Sequence, residues 1–114
     1  MLARAEVVSC HLPATTEPTG LLNAKCFGRM KSTATFINTS RGEVVVYNDL
    51  LDALKSGRIP SAALDVRATE PPLTGELERL PNVIVTPHVA AFTREAQDRV
   101  TRAICEDVTR LLDG

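Results

Sequence analysis

Four side chains in this sequence are of types that can grip an anion and move a proton: Arg41, Asp65, Glu70 and His88. A guanidinium stays charged and can fork two hydrogen bonds onto a carboxylate, which a lysine ammonium cannot reproduce. An imidazole titrates near neutral pH and so can give or take a proton in either direction. A carboxylate beside that ring favours its charged form. Each residue also has an ordinary reading. Arg41-Gly42-Glu43 reads equally as a solvated turn with Glu43 pairing Arg41, and Asp65 as a backbone cap at a strand end. Glu70 reads also as a solvated loop acid, the commoner fate of such residues, and His88 as a packed surface histidine.

The elements around them decide whether the four can meet. Short apolar runs at Glu6–Leu12, Ala34–Asn38, Ser61–Val66 and Asn82–Thr86 read as strands covered on both faces. Helical patterns lie between and after them. One spans roughly Asn23 to Met30, with Asn23 as N-cap. Another spans Asn48 to Ser56, capped by Asn48, with Asp49 complementing the helix dipole, a Leu50/Leu51/Leu54 stripe and Gly57 at the left-handed C′ position. A third follows Thr93, with Ala96, Val100, Ala103, Ile104, Val108, Leu111 and Leu112 at three- and four-residue spacing. Strand–helix–strand alternation implies a parallel α/β sheet with right-handed crossovers. Ligands of such sheets bind beyond the carboxyl ends of the strands. The strand endings, at His11-Leu-Pro13, Asn38–Gly42, Asp65–Glu70 and Thr86–His88, put the four candidates on that one edge. The Pro-rich stretch from Arg67 to Pro81, with Pro71, Pro72 and Gly75, reads as a long connection of the kind that often carries function.

Composition narrows the function classes. The 114 residues suit one small domain or part of a larger one, and 44% hydrophobic with 24% charged residues argues against disorder. A net charge of −1 with no basic run speaks against a nucleic-acid surface. Cys10, Cys26 and Cys105 form no C-x-x-C pair and lie near no histidine but His11, so neither zinc nor a disulfide framework is expected; reduced, mostly buried thiols are. There is no signal-peptide h-region at the start and no apolar run of the roughly 20 residues that span a bilayer, so a soluble cytoplasmic protein without a membrane partner is expected. No G-x-G-x-x-G and no P-loop is present.

Several motifs, in order and spacing, resemble the D-2-hydroxyacid dehydrogenase family of NAD-dependent enzymes. They are Val8-Ser-Cys-His-Leu-Pro13, Thr16-x3-Gly-Leu-Leu22, Phe36-Ile-Asn-Thr-Ser-Arg-Gly42, Ala53-Leu-x-Ser-Gly57, Ala63-Leu-Asp-Val66, Glu70-Pro71 and Pro81-Asn-Val-x-x-Thr-Pro-His88. The resemblance covers nearly the whole chain. It implies a Rossmann-like fold, present in part as about four strands with flanking helices. It casts Arg41 as the substrate arginine, Glu70 as the acid behind the acid/base and His88 as the acid/base itself, 29 and 18 residues apart in turn. It places Leu12, Pro13, Thr39, Ser40, Arg41, Asp65, His88, Ala90 and Ala91 along the cofactor, with Asp65 on the nicotinamide carboxamide. The cofactor implied is NAD, with NADP left open, and the substrate a small 2-keto or 2-hydroxy acid. Related formate dehydrogenases carry glutamine where this chain has Glu70, so glutamate favours hydroxy-acid chemistry.

The chain departs from the family at Val46-Tyr47, where an acidic pair is common, and at Ser61, where glycine is. It departs again near Arg67-Ala-Thr69, where an aromatic with flanking acids is common. The resemblance further implies that residues 1–114 are the carboxyl-terminal portion of a NAD-binding domain, without the glycine-rich half and the substrate-binding domain. A fragment inactive alone, from a homodimeric parent, is then expected. Two other readings are an NADH-responsive corepressor-like binding module and a relic without function. An apolar first strand with one flank unpaired predicts marginal stability or self-association.

Overall fold

A computed structural model describes residues 1–13, 19–70 and 75–114; Thr16 of the second motif, and Pro71 and Pro72 of the long connection, lie outside the described residues. Four strands, β1 (Val7–Cys10), β2 (Thr35–Asn38), β3 (Ser61–Leu64) and β4 (Val83–Val85), form one sheet in the order β1-β2-β3-β4. All three pairings are parallel, with Val8 opposite Phe36, Phe36 opposite Ala62 and Ala62 opposite Val83. Helices α1 (Ala24–Phe27) and α2 (Tyr47–Lys55) are the crossovers, and α3 (Arg94–Asp113) follows β4. This is the α/β, Rossmann-like arrangement expected, and it sets all four strand endings on one edge.

The core lies on one face of the sheet. Strands β2 and β3 alternate half-buried and buried residues, so Phe36, Asn38, Ala62 and Leu64 point into the core with Cys10. Phe27 of α1 meets Phe36 edge-on, with ring centroids 5.5 Å apart, and Leu50, Leu51, Ala53 and Leu54 of α2 close the layer. The other face carries Val7 and Ile84, which are 56% and 69% exposed. The expectation of strands covered on both faces therefore fails, because among the described residues no helix covers this second face.

Two further expectations are corrected. Asn48 is not the cap of α2. The helix starts at Tyr47, where the Leu22–Val45 bridge and the Val46 N–H donating to Leu22 O fix the incoming chain. Asp49 reaches back to accept from the Ala24 amide at 2.7 Å, so it caps the start of α1 beside Asn23, whose side chain accepts from the Lys25 and Cys26 amides. Within the connection after β3, Leu77–Arg79 form a 3-10 turn that buries Leu77. Of the thiols only Cys10 is buried; Cys26 is half-buried and Cys105 exposed.

Helix α3 begins at the expected cap, with the Thr93 hydroxyl accepting from the Ala96 amide at 3.1 Å. Its apolar stripe buries nothing: Val100, Ile104, Val108, Leu111 and Leu112 are all exposed. The helix extends away from the sheet, giving the molecule a long axis of 59 Å against 30 and 26 Å. No helix among the described residues is long and apolar enough to cross a membrane.

Candidate active site

The turn after β2 is built on Asn38, a polar residue buried to 1% exposure at the end of an otherwise apolar strand. Its Oδ1 accepts from the amide and the hydroxyl of Ser40 at 3.0 and 2.9 Å, and its Nδ2 donates to Arg41 O at 3.0 Å. The Ser40 hydroxyl also lies 3.1 Å from the Cys10 thiol. Three residues are thereby held rigid, and the exposed Arg41 side chain leaves the turn with Nη1 donating to Ser40 O.

Gly42 then lets the loop after β3 come down on this turn. A Cβ at Gly42 would lie 1.8 Å from the carbonyl carbon of Arg67 and 2.1 Å from the Ala68 nitrogen. Only a glycine admits that approach. The contact sets the loop that leads to Glu70 against the turn of Arg41, and both residues line one cleft.

At the end of β3, Asp65 is buried to 4% exposure. Its Oδ1 accepts from the Thr86 hydroxyl and, at 2.9 Å, from the Val89 amide; its Oδ2 accepts from the Ala90 amide at 2.9 Å. Its backbone carbonyl accepts from the His88 amide at 2.9 Å. Burial pushes the carboxyl up, but Thr86 and the Ala90 and Val89 amides outweigh it and hold Asp65 below the ordinary carboxylate value. Asp65 thus clamps the turn at 88–90 from beneath. Within it His88 takes φ +58°, a left-handed conformation unusual for a residue with a side chain.

That conformation presents the imidazole to Glu70. Nδ1 of His88 lies 2.9 Å from Glu70 Oε2, and Glu70 Oε1 accepts from the Arg67 amide at 2.8 Å. A carboxylate only accepts, so the ring donates through Nδ1–H and leaves Nε2 available. The Arg67 amide first, then His88, hold Glu70 below its ordinary value, against the opposing effect of burial. Arg41, Glu70 and His88 line one small cleft of about 160 Å³ together with Gly42, Glu43 and Arg67.

The other expected site residues are placed as follows. Leu12 is half-buried against the core, while Pro13 lies exposed at the carboxyl end of β1. Thr39 is half-buried, with its hydroxyl 3.5 Å from Nδ1 of His11. The Ser40 and Ala90 amides are already spent on Asn38 and Asp65, and Ala91 is exposed, with its carbonyl accepting from Gln97. Asp65 sits beneath the turn rather than among the cleft-lining residues. Sequence reasoning assigned no role to Asn38, Gly42, Arg67, Glu78 or Thr86. An asparagine closing an apolar strand was a readable signal; the other four depend on loop contacts across the chain.

A parallel sheet with polar residues gathered at the carboxyl ends of its strands is the arrangement of nucleotide-binding α/β domains. The family profile described as D-isomer specific 2-hydroxyacid dehydrogenase, NAD binding domain, matches residues 1–90, and the chain belongs to that family. It is 41% identical over 115 residues to the D-3-phosphoglycerate dehydrogenase of Archaeoglobus fulgidus and 42% identical over 114 to that of Mycobacterium leprae. Each comparison covers all of this chain and 22% of the relative, so the chain spans about a fifth of those proteins' length. Among solved structures, the NAD complex of a D-isomer specific 2-hydroxyacid dehydrogenase from Lactobacillus delbrueckii ssp. bulgaricus matches with TM-score 0.89 and 31% identity, over 99% of this chain and 39% of that one. The enzyme of the same description from Xanthobacter autotrophicus Py2, in complex with NADPH and MES, matches with TM-score 0.74 and 46% identity, over 78% and 29%.

Proposed function

We propose that residues 1–114 are the carboxyl-terminal portion of a NAD-binding domain, in an enzyme interconverting small 2-keto and 2-hydroxy acids. In this reading Arg41 grips the carboxylate, His88 moves the proton at the reacting oxygen, and Glu70 holds His88. The observation that carries it is the Glu70–His88 hydrogen bond of 2.9 Å, in one cleft with an exposed guanidinium.

A 2-keto acid offers a carboxylate and an adjacent carbonyl, the pattern that a guanidinium fork matches. The nicotinamide cofactor, NAD or NADP, supplies the hydride when bound. The residues here suit its nicotinamide end alone. Leu12, Pro13, Thr39 and Arg41 offer apolar and polar surface there, but two edge amides are already bonded and the sequence holds no glycine-rich turn for a pyrophosphate. Carbonyl reduction needs a proton on the oxygen, and Nε2 of His88 is the atom left free to hold it. Glu70 fixes the tautomer and faces the ring with negative charge.

Titration of NADH, then oxamate, into the ¹⁵N-labelled chain tests this reading. We expect NADH to move the amide signals of Thr39, Arg41, His88 and Ala91, and oxamate to move Arg41 and His88 further. Signals that move only at the amino ends of the strands, or not at all at millimolar NADH, overturn it.

A further inference from the structure

Arg67 has a side chain that is 9% exposed. It ties together three segments. Its Nε donates to Glu78 Oε1 at 2.7 Å, and its Nη1 donates to Thr86 O at 3.0 Å, two residues before His88. Its backbone amide holds Glu70 Oε1 at 2.8 Å. One residue therefore fastens both sides of the Glu70–His88 pair, and its carbonyl carbon is the atom that rests on Gly42.

The ion pair with Glu78 is poorly explained by stability alone. Glu78 Oε2 is buried and has no hydrogen-bond partner among the described residues. The Glu78 side chain as a whole is 24% exposed, but an unpaired buried oxygen is costly, and apolar residues of similar volume often serve as well or better. What the pair does supply is direction. The donors of a planar guanidinium diverge in a fixed fork, so it reaches a carboxylate and a carbonyl at once.

We infer that Arg67 is a positioning residue: its guanidinium, anchored on Glu78, sets the Thr86–His88 segment against the loop carrying Glu70, so that His88 Nδ1 meets Glu70. The inference rests on the reading of Glu70 and His88 as a working pair. Glu70 and Asp65 are the carboxylates facing the His88 segment, and Arg67 is the cation joined to both loops.

The test is the ¹⁵N spectrum of the imidazoles above their titration range, where the shifts report the Nδ1–H and Nε2–H tautomers. The chain has two histidines, and a His11→Gln variant assigns them. Glu70→Ala should lower the Nδ1–H fraction of His88 by about two-fold or more, toward the form free imidazole prefers. The Arg67→Met/Glu78→Met double variant, which leaves no uncompensated charge, should do the same with Glu70 intact. Arg67→Lys keeps a cation opposite Glu78 but not the fork, and should fall between. If Glu70→Ala shifts the tautomer and both Arg67 variants keep the wild-type ratio, Arg67 is only structural and the inference is overturned. If Glu70→Ala also leaves the ratio unchanged, the underlying pair fails instead. Should the double variant not fold, Arg67→Lys decides alone, a wild-type ratio overturning the inference.

Discussion

The α-carbon of Gly42 and the backbone of Arg67 lie so close that a Cβ on Gly42 would sit 1.8 Å from the Arg67 carbonyl carbon. This contact joins the turn carrying Arg41 to the loop carrying Glu70. Gly42→Ala must therefore push two backbones apart, and an insertion of this kind costs about 3 kcal/mol or more. Gly57→Ala is the control: Gly57, unlike Gly42, has a positive φ, +70°, but nothing lies within 4 Å of its would-be Cβ. Its cost should be about 1 kcal/mol, from backbone strain alone. Denaturant titration of the two variants checks the difference, and equal losses would refute the close-approach argument.

Asp65 links the end of β3 to the turn of His88 through three hydrogen bonds to its carboxylate. Its folded-state value is lowered, so the stability it adds is present in full above the ordinary carboxyl value of about 4. That stability is lost as pH falls through the lowered folded-state value. Asp65→Asn should cost about 2 kcal/mol at neutral pH, since an amide nitrogen must then face a backbone N–H. It should also flatten the acid limb of the stability curve. Urea melts of both proteins at a series of pH values test this, and an unchanged acid limb in the variant would contradict it.

These two residues show what the sequence could and could not disclose. Strand positions were readable because parallel strands need short apolar runs, and the carboxyl-edge rule then grouped Arg41, Glu70 and His88. Asp65 was readable both as a ligand contact and as a backbone cap. In the structure Asp65 caps the turn, where two amides, a hydroxyl and the buried carboxylate satisfy one another. The start of α2 was misplaced because a bridge from Leu22 overrides the local capping preference of Asn48. Arg67 and Glu78 are eleven residues apart in sequence, and their pairing has no periodic signature. The stripe on α3 was legible as apolar, but periodicity does not say whether anything covers it.

Arg41 should bind a 2-keto acid through its fork, so Arg41→Lys separates charge from geometry. An ammonium keeps the attraction but loses one of two parallel bonds, worth about 1.5 kcal/mol or more. Oxamate binding in the presence of NADH should weaken about tenfold. Thermal stability should hardly move, because the side chain is exposed and its bond to Ser40 O is local. Chemical-shift titration of the two proteins measures the ratio, and equal affinities would remove Arg41 from the substrate role.

The uncovered apolar surfaces predict association of the isolated chain. Val7 and Ile84 lie on the open sheet face, β1 pairs on one side only among the described residues, and Leu111 and Leu112 of α3 are each 81% exposed. A contiguous apolar patch beyond a few hundred Å² is unusual on a soluble monomer, and an unpaired strand edge adds a second route to contact. Sedimentation velocity should therefore show species larger than a monomer whose share rises with concentration. Placing charges on the α3 stripe, as in Ile104→Lys/Leu111→Glu, should shift that balance toward monomer without loss of core stability, since neither residue is buried. If the variant associates as strongly as the wild type, the sheet face and the β1 edge drive association rather than α3. A wild-type chain that stays monomeric at every concentration refutes the prediction outright.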